Sequence, residues 1–153
     1  MNRLWLKLGV LVFWLSWPAL WVYLYRTKRT RLLIVSGGEF LVLRGWLGAG
    51  NWNLPGGGLH KGEELLTGLL REVQEETGLA FAKEQIKPLL KGLYHEYGFR
   101  FTYDCYVLEL PQKPEIKKQR WEIADHAWQP VINPRLKLAQ DARAALEKWL
   151  SER

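Results

Sequence analysis

With 153 residues, 48% of them hydrophobic and 25% charged, the chain can form one folded domain with a short appendage, which excludes a largely disordered protein. The net charge of +6 comes from six Lys and Arg residues among the first 31 positions, since 16 basic and 16 acidic residues remain after them. Because that remainder has no surplus of positive charge to offset a phosphate backbone, we expect no nucleic-acid partner.

The first predicted element is an apolar stretch, residues 8–25, which contains no charged side chain. At about 1.5 Å per residue, a helix over residues 4–25 is long enough to cross a hydrocarbon core of roughly 30 Å. Trp and Tyr side chains near its ends suit the membrane interface, and a membrane helix tolerates the bend expected at Pro18. We therefore predict one transmembrane helix that binds the lipid bilayer through residues 4–25. The predicted division is an anchor with a basic flank, residues 1–29, and a domain, residues 30–153.

Two alternatives for this segment stay open. A cleaved signal peptide should have a shorter apolar core and small residues at its cleavage site, and here Trp, Tyr and Arg follow instead. A buried soluble helix normally has a polar face, which this segment lacks. The basic residues that follow the span favour a cytoplasmic domain, so the expected localisation is a single-pass membrane protein with the domain of residues 30–153 in the cytoplasm.

Strand signals begin after residue 30. Residues 31–35 and 39–44 predict a β-hairpin that turns at Ser36-Gly37-Gly38. Residues 99–110 and 127–132 predict two further strands with a polar loop between them. Cys105, the only cysteine, lies in the first of these, so we predict a buried core thiol with no disulfide.

Two helices are predicted among these strands. Residues 63–77 are helical in pattern, and Gly78 supplies the left-handed residue that commonly ends a helix. Asn133 followed by Pro134 is typical of a helix start and predicts a last helix that runs to about residue 150. Strands and helices therefore mix in one α/β domain.

Three carboxylates share one edge of the first predicted helix. Glu72, Glu75 and Glu76 stand at i, i+3 and i+4, so they project from one narrow stripe beside an apolar face. A solvated acidic face is one interpretation of the three glutamates. A hard divalent cation is the other, because it offsets the mutual repulsion and prefers oxygen ligands. The three glutamates alone leave both interpretations open; on the second, the oxygen ligands suit Mg2+, or Mn2+, at this edge.

The order of residues from 57 to 79 adds a family resemblance. Gly57, Glu63, Arg71-Glu72 and Glu75-Glu76 occur with the spacing of the Nudix box, and the chain resembles that box at every defined position. The resemblance extends over residues of roughly 30–150. It implies the Nudix α/β/α sandwich, with a mixed sheet between helices.

The resemblance also implies roles for matching residues. Glu72, Glu75, Glu76 and the Gly57 carbonyl would bind the metal, Arg71 would orient the glutamates by ion pairing, and Glu63 would support the helix start. The implied reaction is attack by a metal-activated water on a diphosphate phosphorus.

The general base and the pocket residues are less defined by the sequence. Glu115, Glu122 and Asp125 are candidate bases, and Glu122 has the layout found in many family members; each is alternatively a surface carboxylate. Five further residues either line the substrate pocket or pack as structural side chains: Trp46, Trp52, Tyr94, His95 and Tyr97.

The implied function is Mg2+-dependent hydrolysis of the diphosphate linkage in a nucleoside diphosphate joined to another moiety. A nucleoside triphosphate pyrophosphohydrolase comes first on size, then an enzyme acting on ADP-ribose or a nucleotide-sugar, then one acting on a lipid-linked diphosphate. The alternative is a non-catalytic Nudix-fold module that binds a nucleotide at the membrane. Such a module should have lost box carboxylates, and all of them are present here.

Overall fold

The structure is a computed structural model that describes residues 3–25, 27–117 and 122–153. Its described elements, with a 3-10 turn at Lys83–Gln85, are in chain order α1 Arg3–Leu15, α2 Trp17–Leu24, β1 Lys28–Ser36, β2 Glu39–Gly45, α3 Leu65–Thr77, β3 Lys87–Tyr94, β4 Phe101–Leu110, β5 Ile123–Pro130 and α4 Gln140–Ser151.

The five strands form one mixed sheet in the order β3-β4-β1-β2-β5. The central pair β1 and β4 is parallel, and the other neighbours are antiparallel. The predicted hairpin is confirmed: β1 and β2 are joined by Gly37 and Gly38, whose φ angles of 57° and 76° suit a tight turn that other residues adopt at a cost. The predicted mixed sheet is confirmed as well.

Alternation along the central strands gives the sheet two buried faces. Leu32 and Ile34 pack on one face with Leu69 and Val73 of α3. Leu33 and Val35 pack on the other face, where α4 contributes its own apolar side chains, Ala142, Ala145, Leu146 and Trp149. Helices therefore cover both faces, as in the predicted sandwich, and α3 is fixed against the sheet by one side only.

Some predicted boundaries are wrong. Strand β3 was not predicted, because its exposed and buried residues do not alternate regularly. The last helix begins at Gln140 and not at Pro134. Residues 137–139 are instead held extended by Trp52, whose N donates to the Lys137 carbonyl and whose carbonyl accepts from Ala139 N. Part of the predicted loop at residues 111–120 lies outside the described residues.

The apolar N-terminal segment is two helices, not the single helix predicted. Ser16 separates them, and its Oγ donates to the Val12 and Phe13 carbonyls while Pro18 opens α2. Within the described part of the chain, no single helix has both the length and the composition to cross a membrane. Together α1 and α2 meet both criteria, but the pair is bent by 68°.

One side of this helix pair is packed on the domain. Phe13 is buried in the main core, 5.7 Å from the Phe99 ring. Trp17 and Trp21 donate their indole N–H groups to the Tyr97 and Gly98 carbonyls. The pair therefore contacts the segment that connects β3 with β4, and Trp5 also stacks on Trp46 in the segment that connects β2 with α3.

Candidate active site

Helix α3 begins after a residue whose side chain accepts hydrogen bonds from backbone amides, and it ends at a glycine. Glu64 accepts from Leu66 N and Thr67 N at 3.2 Å each, which pairs two of the amides that a helix start leaves free. Gly78 has φ 75°, and its N donates to the Gln74 carbonyl. The predicted C-terminal glycine stop is confirmed, and Glu63 lies just outside the helix.

A glycine loop, residues 55–59, runs beside the first half of β1. Thr30 N donates to the Gly57 carbonyl and Leu32 N to the Pro55 carbonyl, both at 2.9 Å. Gly56 has φ 128°, and a Cβ there would overlap the Thr30 carbonyl, so only glycine fits. The strand thus fixes the backbone of the loop against one end of α3.

Two of the three predicted ligand glutamates contact this loop. Glu72 is 7% exposed, and a Cβ built on Gly57 would lie 2.5 Å from its carboxyl carbon. Glu76 Oε2 accepts from Gly56 N at 2.8 Å. Burial raises the pKa of Glu76 to about 7, against the smaller opposing effect of that hydrogen bond. The loop and the helix therefore hold two carboxylates at a place where a negative charge is poorly solvated.

Arg71 lies among the acidic residues of the motif. Its Nε is 2.9 Å from Glu63 Oε1, and its Nη1 is 2.7 Å from Glu72 Oε1 and 3.6 Å from Glu75 Oε2. The hydrogen bond from Arg71, with a second from His60 N, lowers the pKa of Glu63 to about 2. The guanidinium thus fixes the carboxylates of Glu63 and Glu72 and draws Glu75 to the same side.

The donors present suit a hard cation. Among the described residues, no three Asp, Glu, His or Cys side chains are grouped closely enough to hold an ion as they stand. Even so, the carboxylates of Glu72 and Glu76 and the loop carbonyls are all oxygen donors, as Mg2+ prefers. A cation at this edge could hold Glu76 ionised. The Gly57 carbonyl already accepts from Thr30 N, so it would offer its second lone pair.

A crevice of about 430 Å³ adjoins one of these carboxylates, that of Glu76. Glu76 and Glu122 both line it. The other two candidate bases, Glu115 and Asp125, are exposed, as Glu122 is, but they do not line this crevice; Asp125 accepts from His126 N. The structure therefore brings together Glu76 and Glu122 and leaves the other two candidates outside.

The predicted pocket aromatics divide into two groups. Trp46 lines the large crevice, but its ring is stacked on Trp5, 5.1 Å away, and its indole N–H donates to the Trp5 carbonyl. Tyr94 and Tyr97 line a smaller adjoining cavity of about 170 Å³. Trp52 packs in the core, and His95 is exposed with its N bonded to Gln140.

Sequence reasoning missed two arginines of β1. Arg31 is buried and its Nε lies 2.7 Å from Asp141 Oδ2, which joins β1 to the first turn of α4. Arg31 Nη1 also donates to the Gly56 carbonyl and so supports the glycine loop. Arg29 lines both cavities, although its position in the basic flank suggested a membrane role. The sequence did contain a sign of this role, because Arg29 and Arg31 lie within a strand that is otherwise rich in buried apolar residues.

Cys105 is buried, as predicted. Burial raises the pKa of its thiol to about 12, so the thiol stays protonated at neutral pH. It takes no part in the site.

Comparisons with known proteins agree with this architecture. A family model described as NUDIX domain matches residues 18–150. Nudix hydrolase 6 of Arabidopsis thaliana is 37% identical over 86 residues, which are 55% of this chain and 30% of that protein. The match therefore spans less than a third of the relative's own length.

Solved structures share the fold. A crystal structure of a MutT NUDIX hydrolase from Burkholderia pseudomallei has a TM-score of 0.72 at 22% identity and covers 80% of this chain and 97% of that chain. The NUDIX domain of Shewanella oneidensis NrtR, complexed with ADP ribose, has a TM-score of 0.70 at 18% identity, with coverages of 88% and 97%. At these identities the likeness is one of fold.

Proposed function

Because the chain belongs to the Nudix hydrolase family, we propose that it hydrolyses the diphosphate linkage of a nucleoside diphosphate joined to another group, with Mg2+ bound at α3. The observation that carries this proposal is the contact of Glu72 and Glu76 with the glycine loop, where Glu76 and Gly56 line a crevice large enough for a small substrate.

The bound metal would neutralise phosphate charge and make a water more acidic. Around it, each residue has a separate task. Glu72, Glu75 and Glu76, with the Gly57 carbonyl, would hold the ion. Arg71 keeps the carboxylate of Glu72 in place through its 2.7 Å ion pair. The glycine loop lets the backbone approach a phosphate closely.

Glu122 is the residue that we propose as the general base. It lines the same crevice as Glu76, and its backbone carbonyl accepts from Trp46 N at 2.7 Å, which holds that part of the backbone against the crevice wall. A carboxylate there can take a proton from the attacking water. The water oxygen forms a bond to one phosphorus, the bridging P–O bond breaks, and the bridging oxygen leaves with the other phosphate.

Nucleotides are the substrate class that we favour. A nucleoside triphosphate is the first candidate, and ADP-ribose or a nucleotide-sugar the second. The related NrtR domain complexed with ADP ribose supports the wider class of nucleoside diphosphate compounds.

The direct test is a screen of the full chain, with Mg2+, against nucleoside triphosphates, ADP-ribose, nucleotide-sugars and alkyl diphosphates. We expect phosphate-containing products from at least one of them, and a loss of more than about 100-fold in kcat for Glu76→Gln. The exposed Glu147→Gln on α4 is the matched control and should keep full activity. A wild-type chain that binds nucleotides but turns none over would favour the alternative, a non-catalytic nucleotide-binding module.

We also propose that residues 4–25 attach the chain to a lipid bilayer, with the domain on the cytoplasmic side. The support is a stripe of exposed leucines on the outward side of α1, spaced at the helical repeat: Leu4, Leu8, Leu11 and Leu15. Arg3 and Lys7 stand beside it and suit anionic lipids. With α1 and α2 packed on the domain, the bilayer contacts their outward side.

Vesicles of phosphatidylcholine with 30% phosphatidylglycerol test this attachment. The full chain should sediment with them, and Leu8→Glu with Leu11→Glu should release it, whereas Leu93→Glu at an exposed position of β3 should not. Release of the vesicle-bound chain by alkaline carbonate is expected for surface attachment; retention would instead favour the single-pass insertion that the sequence suggested.

A further inference from the structure

The large crevice is lined by the domain and by the helix pair. Among its described lining residues, the charged side chains all come from the domain, which also contributes apolar ones such as Leu54. The charged side chains are Arg29, Arg31, Glu76 and Glu122. Of the same described residues, the helix pair contributes no charged side chain, only an apolar wall of Phe13, Leu20 and Leu24 together with Tyr23. The smaller cavity of about 170 Å³ shares Phe13, Leu24 and Arg29, so the two cavities are neighbours along one cleft.

Arg29 is a half-buried cation that has, with any described residue, no ion pair like the one between Arg31 and Asp141. Among the described residues, Arg29 Nε is buried and has no hydrogen-bond partner. The guanidinium lies 5.6 Å from the centre of the Phe101 ring. Burial lowers its pKa to about 10, so it stays a cation at neutral pH. A buried N–H donor of a cation is costly to leave without an acceptor, and an anion in the cleft would supply one.

The position of Arg29 relates this cation to the glycine loop. Arg29 pairs with Gly58 across an antiparallel bridge, and a Cβ built on Gly58 would lie 3.9 Å from Arg29 Nη1. Gly57 and Gly56 immediately precede Gly58 in the chain and contact Glu72 and Glu76. An anion bound by Arg29 would therefore lie beside the carboxylates that we propose as metal ligands.

We propose that Arg29 binds a phosphate of the substrate in this cleft, and that the apolar group attached to the diphosphate lies against Phe13, Leu20 and Leu24 of α1 and α2. The ligand class is a diphosphate that carries an apolar group, either the ring of a nucleobase or a hydrocarbon chain. This inference rests on the proposed function for the identity of the phosphate. On this inference α1 and α2 form part of the substrate site, and this does not depend on whether they also contact a lipid bilayer.

Three probes that cannot be hydrolysed separate the parts of the site. Imidodiphosphate carries only the phosphates, adenosine α,β-methylene diphosphate adds a nucleoside, and a decyl methylenediphosphonate adds a hydrocarbon. Binding of each to the full chain with Mg2+ is measured by calorimetry. We expect at least one of the two larger probes, the extended probes, to bind at least tenfold tighter than imidodiphosphate. The tighter of the two shows whether the apolar group of the substrate is a nucleobase or a hydrocarbon chain.

Substitutions at Arg29 test the phosphate contact. Arg29→Met should raise the Kd of all three probes by roughly 10- to 100-fold, because it removes hydrogen bonds from a charged donor. Arg29→Lys keeps the charge but loses the planar fork, so we expect a smaller rise, and this variant remains informative if the Met variant fails to fold. The exposed Arg100→Met is the matched control and should stay within twofold of wild type.

Substitutions in α2 test the apolar wall. Leu20→Ala with Leu24→Ala should weaken an extended probe by roughly 5- to 30-fold and leave imidodiphosphate binding unchanged. The control pair Leu15→Ala with Val22→Ala removes the same kind of side chain from the exposed side of the helices and should change neither.

The outcomes are distinct. Wild-type affinity in folded Arg29→Met, or a wild-type chain that binds none of the probes, overturns the inference about Arg29. If the Leu20→Ala, Leu24→Ala double variant and the Leu15→Ala, Val22→Ala control change the affinity for an extended probe equally, the inference about the apolar wall is overturned. If the probes bind as expected while no diphosphate in the screen is hydrolysed, the proposed function fails and the binding site stands.

Discussion

At the scale of single residues, Glu76 has an unusual requirement. As the metal ligand that we propose, its carboxylate would have to be ionised, yet burial raises its pKa to about 7 in the metal-free protein. The sequence predicted its place on the helix edge, because the i, i+3, i+4 spacing decides which side chains share a stripe. It could not predict the burial, which depends on the glycine loop that β1 holds against α3.

This pKa gives a pH dependence with a definite sign. An ordinary glutamate ionises near pH 4.5, so between about pH 5 and 7 the folded protein binds more protons than the unfolded chain. The free energy of unfolding of the metal-free protein should therefore fall as the pH rises through this window. Urea unfolding at several pH values measures it. Glu76→Gln should flatten the slope and Mg2+ should offset it; an unchanged slope in that variant would contradict the assignment.

Arg29 and Arg31 show a different limit of sequence reasoning. Both lie among basic residues near the N-terminus, and their excess charge suggested a membrane flank. Only the position of β1 in the sheet shows that both line the cleft and that Arg31 is paired with Asp141. Charge counts give the number of cations, and the fold decides which partners they meet.

At the scale of elements, α4 is fixed to the sheet by a buried ion pair. Arg31 and Asp141 are both almost inaccessible to solvent, and Asp141 also accepts from Ala142 N in the first turn of the helix. Removing one partner leaves an uncompensated buried charge, which costs about 3–5 kcal/mol. Asp141→Ala should lower the free energy of unfolding by that amount. Urea titration measures it, with exposed Glu147→Ala as control; a loss below about 1 kcal/mol would refute the role.

How far the elements were predictable follows from how local their causes are. The β1–β2 turn and the end of α3 were predicted, because both depend on glycines in the left-handed region. The start of α4 was not, because Trp52 keeps residues 137–139 extended from a distant part of the chain. The prediction of a single N-terminal helix was wrong for two reasons. Locally, the helix breaks at Ser16 and Pro18. From a distant part of the chain, Phe99 and Tyr97 contact its two halves.

At the scale of the whole molecule, the N-terminal helix pair is part of the domain's packing. Gly9 permits this, because a Cβ there would overlap the Trp46 carbonyl. In a free helix, alanine is more favourable than glycine by about 1 kcal/mol. Gly9→Ala should nevertheless lower the thermal stability and make residues near Ser16 more sensitive to protease, because the added methyl group forces α1 away from Trp46. Leu11→Ala at an exposed site is the control, and higher stability in Gly9→Ala would show that α1 does not pack there.

The most direct test of the whole account is the binding of Mn2+ to the full chain, measured by electron paramagnetic resonance of the free ion. We predict one site that Mg2+ displaces, and a loss of at least about tenfold in affinity for Glu72→Gln with Glu76→Gln, because both carboxylates would be ligands. The control Glu147→Gln should bind as wild type does. Equal Mn2+ affinity in the double variant and the wild type would contradict the claim that this edge of α3 holds the metal.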